Sequence, residues 1–159
     1  MCEYCGCQAL ETIDELTQEH ERVVNLISHV RDARRDGAIT RMAELAREIT
    51  TVLGPHTQVE EHGLFPAMAT AFPEQIAALE AEHRRIEAVL AEADGPFLTD
   101  TGWPDRLIDT LDLLREHILE EQDGVFPAAL ATLDTEDWEA VEKARTEAEA
   151  GRSLSRPAA

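Results

Sequence analysis

The chain has 159 residues, the length of one globular domain, and 43% of them are apolar, which is enough to bury a core. Its formal net charge of −19 repels nucleic-acid phosphates and anionic lipid, which argues against both as partners. No apolar stretch approaches the roughly 20 residues that cross a bilayer, and a signal-peptide pattern is missing. We therefore predict a cytoplasmic protein that binds neither nucleic acid nor a membrane.

Residues 1–8 are predicted to be an N-terminal tail that carries the three cysteines, Cys2, Cys5 and Cys7. An odd number of cysteines crowded at one end does not predict a disulfide framework. The C-x-x-C-x-C spacing leaves three roles open, which are an accessory or inert tail, a soft-metal site and redox exchange.

Apolar periodicity and helix-breaking residues predict five helices in chain order. Their ranges are 9–35, 40–62, 73–94, 104–123 and 135–150. Gly37 should end the first helix, and Pro55 should bend the second just before His56. Short connections between long helices favour antiparallel neighbours. The predicted fold is all-α, an antiparallel up-down four-helix bundle over residues 9–133, with an additional short C-terminal helix over 134–150 and a loose tail over 151–159.

An internal repeat is the most informative feature of the sequence. Residues 19–24, EHERVV, resemble residues 82–87, EHRRIE, and residues 56–66, HTQVEEHGLFP, align without a gap with residues 117–127, HILEEQDGVFP. Each of the four bundle helices thus carries one histidine, and two of them add a glutamate four residues later on the same face. The candidate metal ligands are His20, His56, Glu60, His83, His117 and Glu121.

Two buried carboxylates and four imidazoles are expensive to desolvate unless compensating positive charge is present. Two metal ions would supply it, with two histidines on each ion and the carboxylates shared between them. Mixed imidazole and carboxylate ligation suits iron, with manganese and zinc as alternatives. The competing interpretation, polar residues that recur on exposed or satisfied faces, requires two such pairs in register by chance.

These residues resemble the motif of the hemerythrin-like, or HHE cation-binding, domains, which reads His, His-x-x-x-Glu, His, His-x-x-x-Glu. The resemblance covers about residues 10–133 and implies a hemerythrin-type bundle with two iron ions joined by an oxo or hydroxo bridge. Oxygen-carrying hemerythrins have a fifth histidine four residues after the one that matches His83, where this chain has Glu87. Glu87 is then an extra ligand, a partner of a ligand or a salt-bridging residue.

Several neighbouring residues are set aside at this stage. Helical phase turns His29 outward, and His62 also points away unless a bend near Gly63 returns it to the site. The repeat aligns Glu120 with a valine, which argues against ligation. Phe65 and Phe126 are expected to plug one end of the bundle and to limit water access.

The resemblance implies a small ligand, namely O2, NO or H2O2. A di-iron protein of this kind either turns such a ligand over, with a weak peroxidase-like, catalase-like or NO-reacting activity, or binds it without turnover. The alternative functions are a non-catalytic oxygen or iron sensor and an iron buffer or delivery protein. The sequence leaves enzymatic activity open.

Overall fold

The computed structural model of the protein describes residues 6–154, and every regular element in that range is helical. The α-helices are α1 (Gly6–Arg35), α2 (Ile39–Val59), α3 (Phe65–Ala69), α4 (Pro73–Ala91), α5 (Trp103–Glu120), α6 (Phe126–Thr132) and α7 (Thr135–Leu154). Short 3-10 turns at Glu92–Asp94 and Phe97–Thr99 lead from α4 to α5. The prediction of an all-helical bundle is confirmed.

Two π-helical turns join long helices to short ones. Glu60–Leu64 connects α2 to α3, and Glu121–Val125 connects α5 to α6, so each pair of helices runs on without a break. The two turns occupy equivalent places in the internal repeat. The sequence placed the irregularity of the second helix at Pro55, but α2 is continuous through Pro55 and changes its hydrogen-bonding register only at Glu60. A π turn widens the helix by one residue and is common at functional sites.

The outer ends of the bundle differ slightly from the predicted ones. α1 begins at Gly6, inside the predicted tail, and its first turn carries Cys7, which is exposed. Cys2 and Cys5 lie outside the described residues. α1 ends as predicted, because Gly37 has a φ of 68°, a left-handed conformation that stops a helix. α7 continues to Leu154, four residues beyond the predicted end.

The apolar side chains form two separate cores. The first core contains residues of α1, α2, α4 and α5, among them Val23, Ile27, Met42, Ile49, Leu53, Ile86, Trp103, Leu111, Leu114 and Ile118. The second core adds α3, α6 and α7, and it contains among others Leu16, Val59, Phe65, Met68, Leu79, Phe126, Trp138 and Val141. Burial of these side chains, worth roughly 25 cal/mol per Å² of apolar surface, is the main force that holds the bundle together.

Each long helix of the bundle crosses from one core to the other. α1 leaves the second core at Leu16 and enters the first at Val23, whereas α2 leaves the first at Leu53 and enters the second at Val59. α4 likewise passes from the second core at Leu79 to the first at Ile86, whereas α5 stays in the first core up to Ile118 and reaches the second only through the second π turn and α6, at Phe126. His20, His56 and His83 lie between the two apolar anchors of their helices, and His117 lies next to Ile118, the last first-core residue of α5, so the fold places a polar layer between two dry cores.

α7 covers the side of the bundle next to the first π turn. Its Trp138 and Val141 are buried in the second core, and a Cβ added at Gly63 would lie 2.8 Å from the Cα of Val141. No helix between residues 6 and 154 has a segment long and apolar enough to cross a membrane.

Candidate metal centre

The six residues selected from the repeat meet in the polar layer. His20 lies on α1, His56 on α2, His83 on α4 and His117 on α5, while Glu60 and Glu121 are the first residues of the two π turns. All six are buried, with at most 6% of any of them exposed. Two overlapping groups each bring four ligand atoms within 4.8 Å of one another: His20, His56, Glu60 and Glu121, and Glu60, His83, His117 and Glu121.

The two glutamates belong to both groups, and each divides its oxygens between them. Oε1 of Glu60 lies 2.9 Å from Nε2 of His56, and its Oε2 lies 3.3 Å from Nε2 of His83. Oε2 of Glu121 lies 3.1 Å from Nε2 of His20, and its Oε1 lies 2.7 Å from Nε2 of His117. In this arrangement each carboxylate could offer one oxygen to each of the two groups.

Three further glutamates hold the outer nitrogens of the histidines. Nδ1 of His56 lies 2.6 Å from Glu19, and Nδ1 of His117 lies 2.7 Å from Glu82. The sequence analysis did not single out Glu19 and Glu82, although the repeat contains the signal, since each directly precedes a candidate histidine. A carboxylate accepts the hydrogen bond, so each Nδ1 carries a proton and each Nε2 faces the centre, where it can bind either a cation or a proton.

The third of these partners is Glu61, whose Oε1 lies 2.8 Å from Nδ1 of His83. The same oxygen accepts a hydrogen bond from Arg84, so an imidazole, a carboxylate and a guanidinium form a chain that reaches the surface. Such partners fix the orientation of a metal-binding histidine and raise its basicity.

The centre of this layer contains many hydrogen-bond acceptors and few donors. Both oxygens of Glu60 and of Glu121 are buried, and none has a partner with hydrogen-bond geometry among residues 6–154. Nε2 of His83 lies 2.9 Å from Nε2 of His117, a distance that requires a proton or a cation between two nitrogens. Buried acceptors without donors are costly, so this donor set fits bound metal ions.

The ionisation of the candidate ligands shows the same demand for positive charge. Burial alone lowers the pKa of His56, but Glu60 and Glu19 outweigh it and raise that pKa to about 10. Burial also lowers the pKa of His117, but Glu121 and Glu60 outweigh it and raise that pKa to about 9. Burial favours the neutral form of Glu60, yet His56 and His83 hold its pKa well below the ordinary 4.5. In the metal-free protein, protons supply the charge that cations would supply.

The π turns also bring two aromatic rings onto the site. Phe65 stacks on His83 with ring centroids 5.6 Å apart and 14° between the planes, and Phe126 stacks on His20 at 5.5 Å and 7°. The sequence analysis expected these rings to close an end of the bundle. Because each π turn inserts an extra residue, both rings instead lie directly against the candidate ligands.

α7 reaches the site through a charged pair that the repeat does not predict. Arg145 is 9% exposed, and its Nη1 donates a hydrogen bond to Oε1 of Glu19, the glutamate that also holds His56. Its Nε lies 3.3 Å from Glu15 as well. No part of the internal repeat corresponds to α7, so periodicity and motif spacing could not identify this contact.

The residues set aside earlier lie outside both ligand groups. His29, His62 and Glu120 are exposed. The Glu87 carboxylate lies 3.2 Å from Arg84, and 47% of its side chain is exposed, which matches the salt-bridging alternative.

A helical bundle with four buried histidines and two shared glutamates between dry cores defines a class of protein, the cation-binding helical bundle. The sequence model of the hemerythrin HHE cation binding domain matches residues 11–129, and the chain belongs to that family. No curated protein and no solved structure gives a significant match. The matched region ends before α7, so the Arg145 contact lies beyond it.

Proposed function

We propose that the protein holds two iron ions, joined by an oxo or hydroxo bridge, between the four histidines and two glutamates of the polar layer. The observation that carries the proposal is the division of the Glu60 and Glu121 oxygens between two histidine pairs. Imidazole and carboxylate ligands together suit iron. Family membership supports a cation site, and the choice of iron is ours.

We also propose that α1, α2, α4 and α5 form an antiparallel up-down bundle. The order in which they meet the two cores supports this topology, because α1 and α4 run from the second core to the first, whereas α2, and α5 with its continuation α6, run the other way. In such a bundle the two halves of the repeat are related by an approximate twofold, which explains why each half supplies one half of the site.

The ligand of this centre is a small molecule, which we propose to be O2, NO or H2O2. A cavity of about 20 Å³, room for about one water-sized molecule, adjoins all four histidines. Its remaining wall is mostly apolar and comes from the first core, with Leu53, Ile86, Leu114 and Ile118. A cavity of this size and polarity supports a diatomic molecule or a peroxide as the ligand.

Iron, when bound, supplies redox electrons and coordination positions for such a ligand. The side chains of the protein orient the candidate ligands and exclude water. Glu19, Glu61 and Glu82 hold three imidazoles in one tautomer with Nε2 directed inward. Phe65 and Phe126 cover the rings of two histidines, which keeps bulk water away from the centre.

Steady-state consumption of hydrogen peroxide and of nitric oxide tests the reactive form of this proposal. The iron-loaded protein is expected to consume one of them, and His117→Ala is expected to abolish consumption because it removes a ligand. His29→Ala, an exposed histidine outside both groups, is the matched control and should retain the full rate. Equal rates in wild type and His117→Ala contradict the proposal.

One observation favours the alternative, a sensor or iron buffer without turnover. Apart from the histidines, the ionisable side chain that lines the cavity is Glu87, and its carboxylate pairs with Arg84. Among the described residues, the cavity therefore offers no ionisable side chain outside the candidate ligands that is free to act as a general acid. A reversible spectral change on oxygenation, without net loss of peroxide or nitric oxide, would favour this function.

A further inference from the structure

The four histidines differ in what holds their outer nitrogens. Nδ1 of His56, His83 and His117 each faces a carboxylate at 2.6–2.8 Å. Nδ1 of His20 is buried and has no hydrogen-bond partner among residues 6–154. The approximate twofold symmetry of the centre therefore does not hold at His20, whose Nδ1 lacks, among the described residues, the carboxylate partner that the other three histidines have.

The repeat shows which residues break it. Glu61, the partner of His83, aligns with Gln122, and Arg84, the partner of Glu61, aligns with Glu21. In one half of the molecule the imidazole of His83 is therefore followed by a carboxylate and then by a guanidinium. At the equivalent positions of the other half, the imidazole of His20 is accompanied by the amide of Gln122 and the carboxylate of Glu21. The two exchanges belong together, because a glutamate at position 122 would share its surroundings with Glu21 and repel it.

Gln122 and Glu21 line a surface pocket that reaches His20. The pocket has a volume of about 370 Å³, and its other lining residues are Val24, Asn25 and Ser28. Glu21, Asn25 and Ser28 are exposed, so the pocket connects the edge of the buried imidazole with solvent through polar groups. Glu21 adds a negative charge that attracts cations.

A carboxylate partner on Nδ1 makes an imidazole a better ligand, and loss of such a partner typically costs 10–100-fold in metal affinity. Both imidazoles of the His83 and His117 pair have one. In the other pair, His56 has Glu19 as its partner and His20 has none among the described residues. The protein thus holds the two cation positions unequally.

We propose that the ion held by His20 and His56 is the exchangeable member of the pair and that it enters and leaves through the pocket formed by Glu21, Asn25 and Gln122. The inference rests on the proposed dinuclear centre and deepens it. One ion stays in place while the other exchanges with solution, which is the behaviour that an iron buffer or iron donor requires.

The rate of iron release tests this inference. The full-length, iron-loaded protein is reduced and mixed with an excess of a ferrous chelator, and the absorbance of the iron–chelator complex is followed over time. Wild type should release its iron in two phases of equal amplitude, with rates separated about 10-fold or more. The double variant Glu21→Arg/Gln122→Glu rebuilds the arrangement of the other half and should slow the fast phase about 10-fold. Glu61→Gln should accelerate the slow phase by a similar factor.

Gln58→Glu repeats the glutamine-to-glutamate change of position 122 at an exposed position of α2 and should leave both phases unchanged. A single phase in wild type, or a fast phase that the double variant leaves unchanged, overturns the inference while two bound irons still support the proposed function. A wild-type protein that binds no iron would instead contradict the proposed dinuclear centre itself. Helical circular dichroism of each variant separates altered release from unfolding.

Discussion

Glu60 and Glu121 are buried to 0% exposure, yet their oxygens have no donors with hydrogen-bond geometry among the described residues. A carboxylate in that position is tolerable only beside positive charge, which protonated histidines or metal ions supply. Because each glutamate faces both histidine pairs, its loss affects both cation positions, whereas the loss of one histidine affects one.

Glu121→Gln is therefore expected to lower bound iron from two ions per chain to fewer than one. The amide is neutral and cannot bridge two cations through two anionic oxygens. Glu120→Gln is the matched control, because Glu120 is exposed and outside both groups. Metal analysis of both variants after the same loading procedure checks the prediction, which is wrong if the two variants hold equal iron.

At the level of single residues, the sequence identifies the groups that the repeat duplicates and misses the ones that depend on packing. The spacing His-x-x-x-Glu places His117 and Glu121 on one helix face, and the structure brings them together with their counterparts. The contact of Glu19 with His56 depends on how α1 lies against α2, which helical phase does not determine. That the six residues bind metal stays a prediction.

The π turns decide how the elements serve the site. Regular α-helical phase would rotate the residues after Glu60 and Glu121 away from the centre, but the extra residue in each turn returns Phe65 and Phe126 to it. The sequence could not predict these turns, because a single inserted residue leaves the apolar periodicity on either side intact. It did predict the long helices, whose periodicity extends over several turns.

The first π turn also carries the contact with α7, which makes its glycine different from the equivalent glycine of the second turn. A Cβ at Gly63 would lie 2.8 Å from Val141 Cα, whereas a Cβ at Gly124 would meet nothing within 4 Å. Gly63→Ala should lower the free energy of unfolding by about 1–3 kcal/mol, since the main chain of α7 must move.

Gly124→Ala is the matched control and should be neutral or stabilising by up to about 1 kcal/mol, because alanine restricts the unfolded chain more than glycine does. Urea denaturation of the two variants gives the comparison. Equal stability of both would show that α7 does not pack against the first π turn as described.

Across the whole molecule, a negative surface encloses a centre that needs positive charge. The net charge of −19 favours the approach of cations, and the two dry cores above and below the polar layer keep the charges at the centre unscreened. α7 lies outside the matched family region and contacts the polar layer through the hydrogen bond from Arg145 to Glu19.

The metal-free protein should lose stability as the pH rises from about 6.5 to 10. His56 and His117 have pKa values raised to about 10 and about 9, so their contribution is complete below the unfolded value of 6.5 and is lost as the pH passes through the folded values. The slope is up to about 1.4 kcal/mol per pH unit for each histidine. Urea titrations at several pH values measure it.

The iron-loaded protein should not show this decline, because metal-bound imidazoles carry no exchangeable proton on Nε2 over that range. The control His29→Gln should leave the slope of the metal-free protein unchanged. A metal-free protein that is as stable at pH 10 as at pH 6.5 would show that the buried histidines are not protonated in the absence of metal.

Iron analysis of the purified protein, together with its near-ultraviolet and visible spectrum, tests the central claim most directly. The account predicts two irons per chain with oxo-to-iron charge-transfer bands, and a sharp loss of iron in His83→Ala. A wild-type protein that takes up no iron, or a His83→Ala variant that holds as much iron as wild type, would contradict it.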